Sequence, residues 1–236
     1  VIRIDREPVF VLHRRPYRET SLLLEGFSLN HGRVGLICRG VRRRRGGDVH
    51  LFHLLDTSWR GRGDLYTMTR WEVVRSHRLS GAQVSICGLY LNELLLRLVN
   101  RGVPAPGLFR SYAQTLATLA AEGEVESALR TFEFELLRAL GYGLQLEQDS
   151  AGRPLVSNGR YRFVGEQGLV YCGGDLTARD VVTGDALLAL RDQRLEDREL
   201  ARQVRNLLAV ALDHQLQGRE LQTRKLLRYV GSHRRS

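Results

Sequence analysis

The stretch "DVHLFHLLD" (48–56) gathers Asp48, His50, His53 and Asp56, and imidazole beside carboxylate is the donor set of a hydrolytic metal site. On a helix the spacing would bring His50 and His53 to one face. The apolar residues and the flanks favour a strand, on which the two imidazoles point to opposite faces. The cluster therefore reads as surface or barrel-end histidines, and no metal is expected. Other catalytic patterns are missing: there is no G-x-x-x-x-G-K-[ST], H-E-x-x-H or G-x-S-x-G, and Lys225 is the sole lysine. Glu133 and Glu135 read as solvated helix charges. Cys38, Cys87 and Cys172 lie too far apart for a C-x-x-C zinc site or a disulfide framework. The expectation is a protein that is not an enzyme and carries no cofactor.

Binding chemistry is far better represented. Residues 40–48, "GVRRRRGGD", place Arg42, Arg43, Arg44 and Arg45 on one glycine-flanked loop. Arg33 and Arg39 lie on or beside the strand before it, and Arg60 and Arg62 in a later hairpin. Guanidinium forks pair phosphate oxygens bidentately and stack on bases. The chain carries a net charge of +10, unevenly distributed. Residues 1–80 hold sixteen arginines and eight acids (+8), residues 81–218 come to −3, and residues 219–236 to +5. A basic head and tail around a mildly acidic middle favour a polyanionic partner, nucleic acid or an anionic membrane surface, over a small neutral substrate. A targeting signal or an idle solvated loop explains the arginine run alone, but not the charge of the whole head. No apolar run reaches ~18 residues, and no n-region precedes an apolar h-region, so a reducing, cytosolic compartment is expected.

The elements that must position these residues follow from periodicity. "PVFVLHRR" (8–15), "TSLLLEGFS" (20–28), "RVGLICRG" (33–40), "LFHLLDTSW" (51–59) and "DLYTMTRWEVV" (64–74) are strand-like runs joined by turn signals. Five short strands in about 80 residues suit a small barrel, either an OB-fold or an SH3-like one. Near Gly88 the apolar period changes to that of helices, with Leu91, Leu94, Leu95 and Leu98 on one face. Two further helices follow, each closed by glycine. A hairpin is expected near 160–172, then helices with Thr177 and Asp197 as N-caps. The fold expected is α+β: a β-barrel domain over 1–80 and a mainly helical domain over 81–236. In the helix near residue 130, Arg130, Phe134 and Arg138 line up at i, i+4 and i+8, a row that would suit an acidic, apolar peptide or equally form a packed helix edge.

Four blocks, "FVLHRRPYRETSLLLEGFS", "GRVGLICRGVRRR", "GLYLNELLLRL" and "ALRTFEFELLRALGYG", resemble the bacterial RecO family of DNA repair proteins, in the family's order. The resemblance implies an N-terminal OB-fold and a helical C-terminal domain in a cytoplasmic, nucleoid-associated bacterial protein. It implies binding of single- and double-stranded DNA, strand annealing, and action with RecR to load RecA onto SSB-coated single strands. It implies that the helical domain holds the acidic SSB C-terminal tail, with Arg130 of the "ALR-x-F" block taking part. Some members carry a four-cysteine zinc site after the "GYG" block. Here only Cys172 lies in that region, so no zinc is expected. The DNA-binding candidates are Arg33, Arg39, Arg42–Arg45 and Arg62, and the SSB-tail candidates Arg130, Phe134 and Arg138. The rival readings are a metal-dependent nuclease using the histidine cluster and an RNA-binding OB-fold protein.

Overall fold

The computed structural model describes residues 1–41, 49–142, 144–173 and 181–233, with side chains through residue 227 in the last helix. Arg42–Arg45 and Asp48 lie outside the described residues. Five strands, β1 (Ile2–Tyr17), β2 (Ser21–Ser28), β3 (Gly32–Cys38), β4 (His53–Gly61) and β5 (Leu65–Ser76), close into a barrel in the order β1-β2-β3-β5-β4. All neighbours are antiparallel except β3 and β5. This is the OB-fold, and it resolves the choice that strand counting left open.

One long strand closes the barrel. The first half of β1 pairs with β4 and the second half with β2, which forces the strand to coil sharply. The register shifts between Ile4 and Glu7 and again between Val11 and His13. At the first shift Arg6 takes φ 55°, and its N–H donates to Ser58 Oγ at 3.1 Å, as bulged residues re-aim a ladder. Across from the second, a Cβ on Gly26 would stand 2.5 Å from Val9 Cγ1, so the curvature requires glycine.

Alternation along β1 sends Val9 and Val11 into the barrel core with Leu24, Val34, Leu36, Leu55 and Trp59. Phe10 points the other way and is nonetheless fully buried, its ring 5.0 Å from those of both Phe109 and Tyr112. Those rings belong to α2 (Pro106–Ala120), which with α1 (Ala82–Leu98) packs against the barrel. Between them Asn92 Nδ2 donates to the Leu12 carbonyl at 2.8 Å and accepts, through Oδ1, from the Tyr112 hydroxyl at 2.6 Å. Burial pushes the Tyr112 phenol well above its ordinary range.

Packing divides the chain into two compact units, Val1–Ala120 with Leu221–Ser236, and Ala121–Glu220. The boundary expected at residue 80 marks the change from strand to helix but not the change of unit. Both α1 and α2 belong with the barrel, and so does α6 (Gln222–His233) at the far end of the chain.

The second unit holds α3 (Val125–Ala139), α4 (Gly184–Arg191), α5 (Arg198–Leu216) and a three-stranded sheet ordered β7-β6-β8. Strands β6 (Arg160–Val164) and β7 (Gly168–Tyr171) form the expected hairpin. The third strand, β8 (Val181–Thr183), occupies residues whose spacing predicts a helix. That helix, α4, starts only at Gly184 and is capped by the Thr183 hydroxyl, which accepts from Ala186 N–H at 3.4 Å. Thr177 lies outside the described residues. Asp197 caps α5 as expected, accepting from Glu199 and Leu200 N–H at 2.8 and 3.0 Å. Gly141 (φ 80°) closes α3, whereas after α2 the left-handed position falls to Glu122 (φ 55°) rather than to Gly123.

Candidate nucleic-acid interface

Strand pairing sets the outer surface of the barrel residue by residue, because directly paired residues share a face. One outward row runs His13, Glu25, Gly35, Leu65 across β1, β2, β3 and β5, and the next runs Arg15, Leu23, Ile37, Thr67. A third outward pair, Phe27 and Arg33, lies under the helices: Phe27 sits 5.6 Å from the Phe109 ring. The first two rows stay open and form the floor of a depression of about 380 Å³ lined by His13, Arg15, Leu23, Leu65 and Arg101. The β1–β2 hairpin loop bounds this face and carries Arg18, whose guanidinium lies 5.2 Å from the centre of the Tyr17 ring. The β4–β5 turn bounds it on the other side with exposed Arg62. In OB-folds the strand 2–3 face and these two loops form the oligonucleotide-binding surface.

The expected DNA-binding arginines part company here. Arg39, just past β3, and Arg62 are exposed and enter no ion pair with a described residue. Arg33 is committed elsewhere. Its Nη1 donates to the Leu95 carbonyl at 3.5 Å and to the Leu96 carbonyl, so it satisfies the carbonyl end of α1, where a cation is favoured. Its Nε lies 3.6 Å from Glu25 Oε2, and burial lowers its pKa. Arg33 is thus a structural cation and not a free phosphate ligand. Arg101, from the loop after α1, pairs with Glu25 Oε1 while staying partly exposed beside Gly35. Glu25, the one acid inside the open rows, is thereby neutralised from two sides. Arg3 and Arg6 pair with Asp5 and Asp56, and Arg70 with Glu72. Arg15, Arg18 and Arg101, which stand outside the expected set, are brought to the open face. The signal that finds Arg15 is the alternation of "HRRPY" against β2, and the signal for Arg18 is its hairpin position. Nothing local marks Arg101.

The histidine cluster differs from its strand reading. His53 begins β4, but His50 lies in the preceding turn, where Phe52 takes φ 64°. The turn brings the two rings to 5.3 Å, and His50 N–H donates to His53 Nδ1 at 3.3 Å. Asp56 is engaged by Arg6 at 2.9 Å. Among the described residues no group of three His, Cys, Asp or Glu side chains could hold a metal ion. Burial, then the charges of His50, Arg14 and His77, lowers the pKa of His53. Burial, then Arg75, does the same to His77, whose Nε2 is buried without a hydrogen-bond partner.

In the second unit, Phe134 and Arg138 line a depression of about 570 Å³ with Leu144, Leu146 and Arg191. Arg130 does not join them. It is only 8% exposed and pairs with buried Glu133 at 3.0 Å, so the i, i+4, i+8 row is split by burial. The segment after the "GYG" block is organised without a thiol set. Asp149 accepts from Ala151 and Arg153 N–H at 2.9 and 3.0 Å and from Arg153 Nε at 2.8 Å. With Cys172 the only cysteine in that segment, these residues do not fit a zinc ion.

Comparison with known proteins agrees with this geometry. Residues 4–77 match the family model "Recombination protein O N terminal", and residues 82–225 match "Recombination protein O C terminal". The DNA repair protein RecO of Methylococcus capsulatus is 41% identical over 230 residues, covering 96% of this chain and 94% of that one. The RecO of Halorhodospira halophila is 40% identical over 227 residues, covering 94% and 96%. That of Coxiella burnetii is 38% identical over 231 residues, covering 95% and 98%. The chain belongs to the recombination protein O family of DNA repair proteins.

Proposed function

We propose that this chain serves recombinational repair by binding and annealing DNA strands, as a protein that makes and breaks no covalent bond. The observation that carries the reading is the open OB face, where Arg15, Arg18, Arg62 and Arg101 surround an apolar floor and the single acid in its rows is neutralised. Annealing needs no reacting group: a cationic surface offsets the repulsion between two phosphate backbones and raises their local concentration. Each phosphate neutralised releases counterions, so binding weakens with salt at a log–log slope of ~−0.7 per contact on single strands. Replacing Arg15, Arg18 and Arg62 together by alanine is expected to lower affinity for every sequence and to flatten that slope by about 2. Arg42–Arg45→Ala is expected to act in the same sense. Arg33→Ala is the control, expected to lower stability with the slope intact. A folded triple variant with wild-type slope would show that DNA lies on another surface.

In the cell this activity is proposed to work with RecR in loading RecA onto SSB-coated single strands, where annealing on SSB-coated DNA with and without RecR is the direct assay. For the SSB C-terminal tail, acidic and apolar, the second unit offers the Phe134–Arg138 depression. Arg138→Ala is expected to weaken binding of a labelled tail peptide and leave affinity for naked DNA unaltered. Arg130→Ala, by stranding buried Glu133, is expected to destabilise the helical unit instead.

A further inference from the structure

Beside the open face lies a smaller cavity of about 230 Å³, which shares Arg101 and Gly35 with it. Its walls are Tyr66 and His31, with Ile2 and Ile4 supplying apolar surface. The His31 ring stands edge-on to buried Trp59 at 5.6 Å, which fixes its orientation. The charged side chains lining the cavity are Asp64, on the β4–β5 turn, Arg101 and Arg33. Arg33 is already held by the end of α1 and by Glu25, which leaves Asp64 and Arg101 for a ligand. Asp64 is exposed and enters no ion pair with a described residue. Gly35 lets Asp64 and Arg101 approach β3 closely: a Cβ there would stand 2.8 Å from the Asp64 carbonyl oxygen and 3.4 Å from Arg101 Nη2. The cavity is smaller than the ~300–1,000 Å³ of ordinary small-molecule sites, a size in keeping with a single base.

We propose that this cavity takes one unstacked guanine from single-stranded DNA held on the barrel, an inference that rests on the DNA-binding reading above. Aromatic walls accept any base by stacking, so the polar groups decide which. A carboxylate accepts two hydrogen bonds side by side, and guanine alone offers adjacent N1–H and N2–H donors along one edge. Its O6 and N7 accept from a guanidinium, the commonest specific arginine contact. Thymine has a single N–H between two carbonyls and places an acceptor against the carboxylate. The protein would then combine a sequence-independent grip on phosphates with a preference at one position.

Equilibrium binding of an oligothymidylate, compared with the same oligomer carrying one central guanine, cytosine or adenine, tests this on the full chain. The guanine oligomer is expected to bind at least about five-fold tighter, in line with one well-made bidentate contact. Asp64→Asn, on an exposed turn, is expected to abolish that preference without weakening oligothymidylate binding, and Asp64→Ala to do the same. Equal affinity for all four oligomers, preference for another base, or a guanine preference that persists in both variants overturns the assignment while leaving DNA binding intact. Failure of every oligomer to bind removes the DNA-binding reading itself, and the base cavity with it.

Discussion

At the scale of single residues, Asn92 ties the helices to the barrel and is itself almost fully buried. Its amide donates to the Leu12 carbonyl and accepts from the Tyr112 hydroxyl. Asn92→Leu keeps the shape and strands both partners away from water, at roughly 1–3 kcal/mol for each unpaired group. The expected loss of stability is about 2–6 kcal/mol, read as a lowered urea midpoint. Tyr112→Phe, which removes one bond and leaves the second, is expected to cost about 1 kcal/mol. If Asn92→Leu proved as stable as wild type, the amide would not be the tie between helix and strand. The same scale shows what a linear sequence conceals. Arg15 and Arg33 both stand on apolar strands and look alike in the sequence, yet one lines an open face and the other is fixed to the end of α1. The partner carbonyls of Arg33 belong to Leu95 and Leu96, some sixty positions downstream, and only the fold brings them there. Arg130 is the same lesson on a helix: spacing aligned it with Phe134 and Arg138, but burial beside Glu133 removed it from their surface.

At the scale of elements, the five strands and the long helices were legible because their periods are strong and their ends carry glycine, aspartate or proline. Two junctions were not. Val181–Thr183 joined β6 as a third strand because tertiary pairing outweighs local pattern in so short a run. The turn before β4 brought His50 and His53 together where strand alternation would have parted them. That turn and the end of β5 carry a pH dependence. The pKa values of His53 and His77 lie below their ordinary 6.5 in the folded protein, with burial the leading cause for each. The unfolded chain therefore takes up protons first as pH falls. The stability these histidines confer is complete above about 6.5, and is lost progressively as pH descends through their folded values. His77→Phe, which extends the ring cluster around Phe10 (6.2 Å from the imidazole), is expected to flatten that decline. Urea midpoints taken above and below pH 6.5 on both proteins measure it; parallel declines would place the titration elsewhere.

At the scale of the whole molecule, the chain's two basic ends belong to one compact unit, with a contiguous stretch of one hundred residues, Ala121–Glu220, forming the other. What returns the tail is chemistry at the start of α6. Glu93, on α1, accepts from Gln222 and Thr223 N–H at 3.0 Å each and from the Thr223 hydroxyl at 2.6 Å. One carboxylate thus satisfies donors that the first turn of a helix otherwise leaves unpaired. Burial works to raise its pKa, but the Thr223 and Gln222 hydrogen bonds and Arg97 outweigh burial and hold it below the ordinary value of 4.5. Leu221, just before the helix, is buried with it. No sequence pattern could announce this cap, since the acid and the helix it caps are about 130 residues apart. A chain ending at Glu220 loses the burial of Leu221, about 2 kcal/mol, and the cap, about 1 kcal/mol. The loss is expected in the barrel unit, as earlier thermal unfolding and faster amide exchange along α1, while exchange in α5 stays as it was. Glu93→Ala in the intact chain should reproduce the smaller share. Undisturbed exchange in α1 after truncation would mean that the tail merely rests on the unit, whereas the geometry of Glu93 makes it part of the barrel's support.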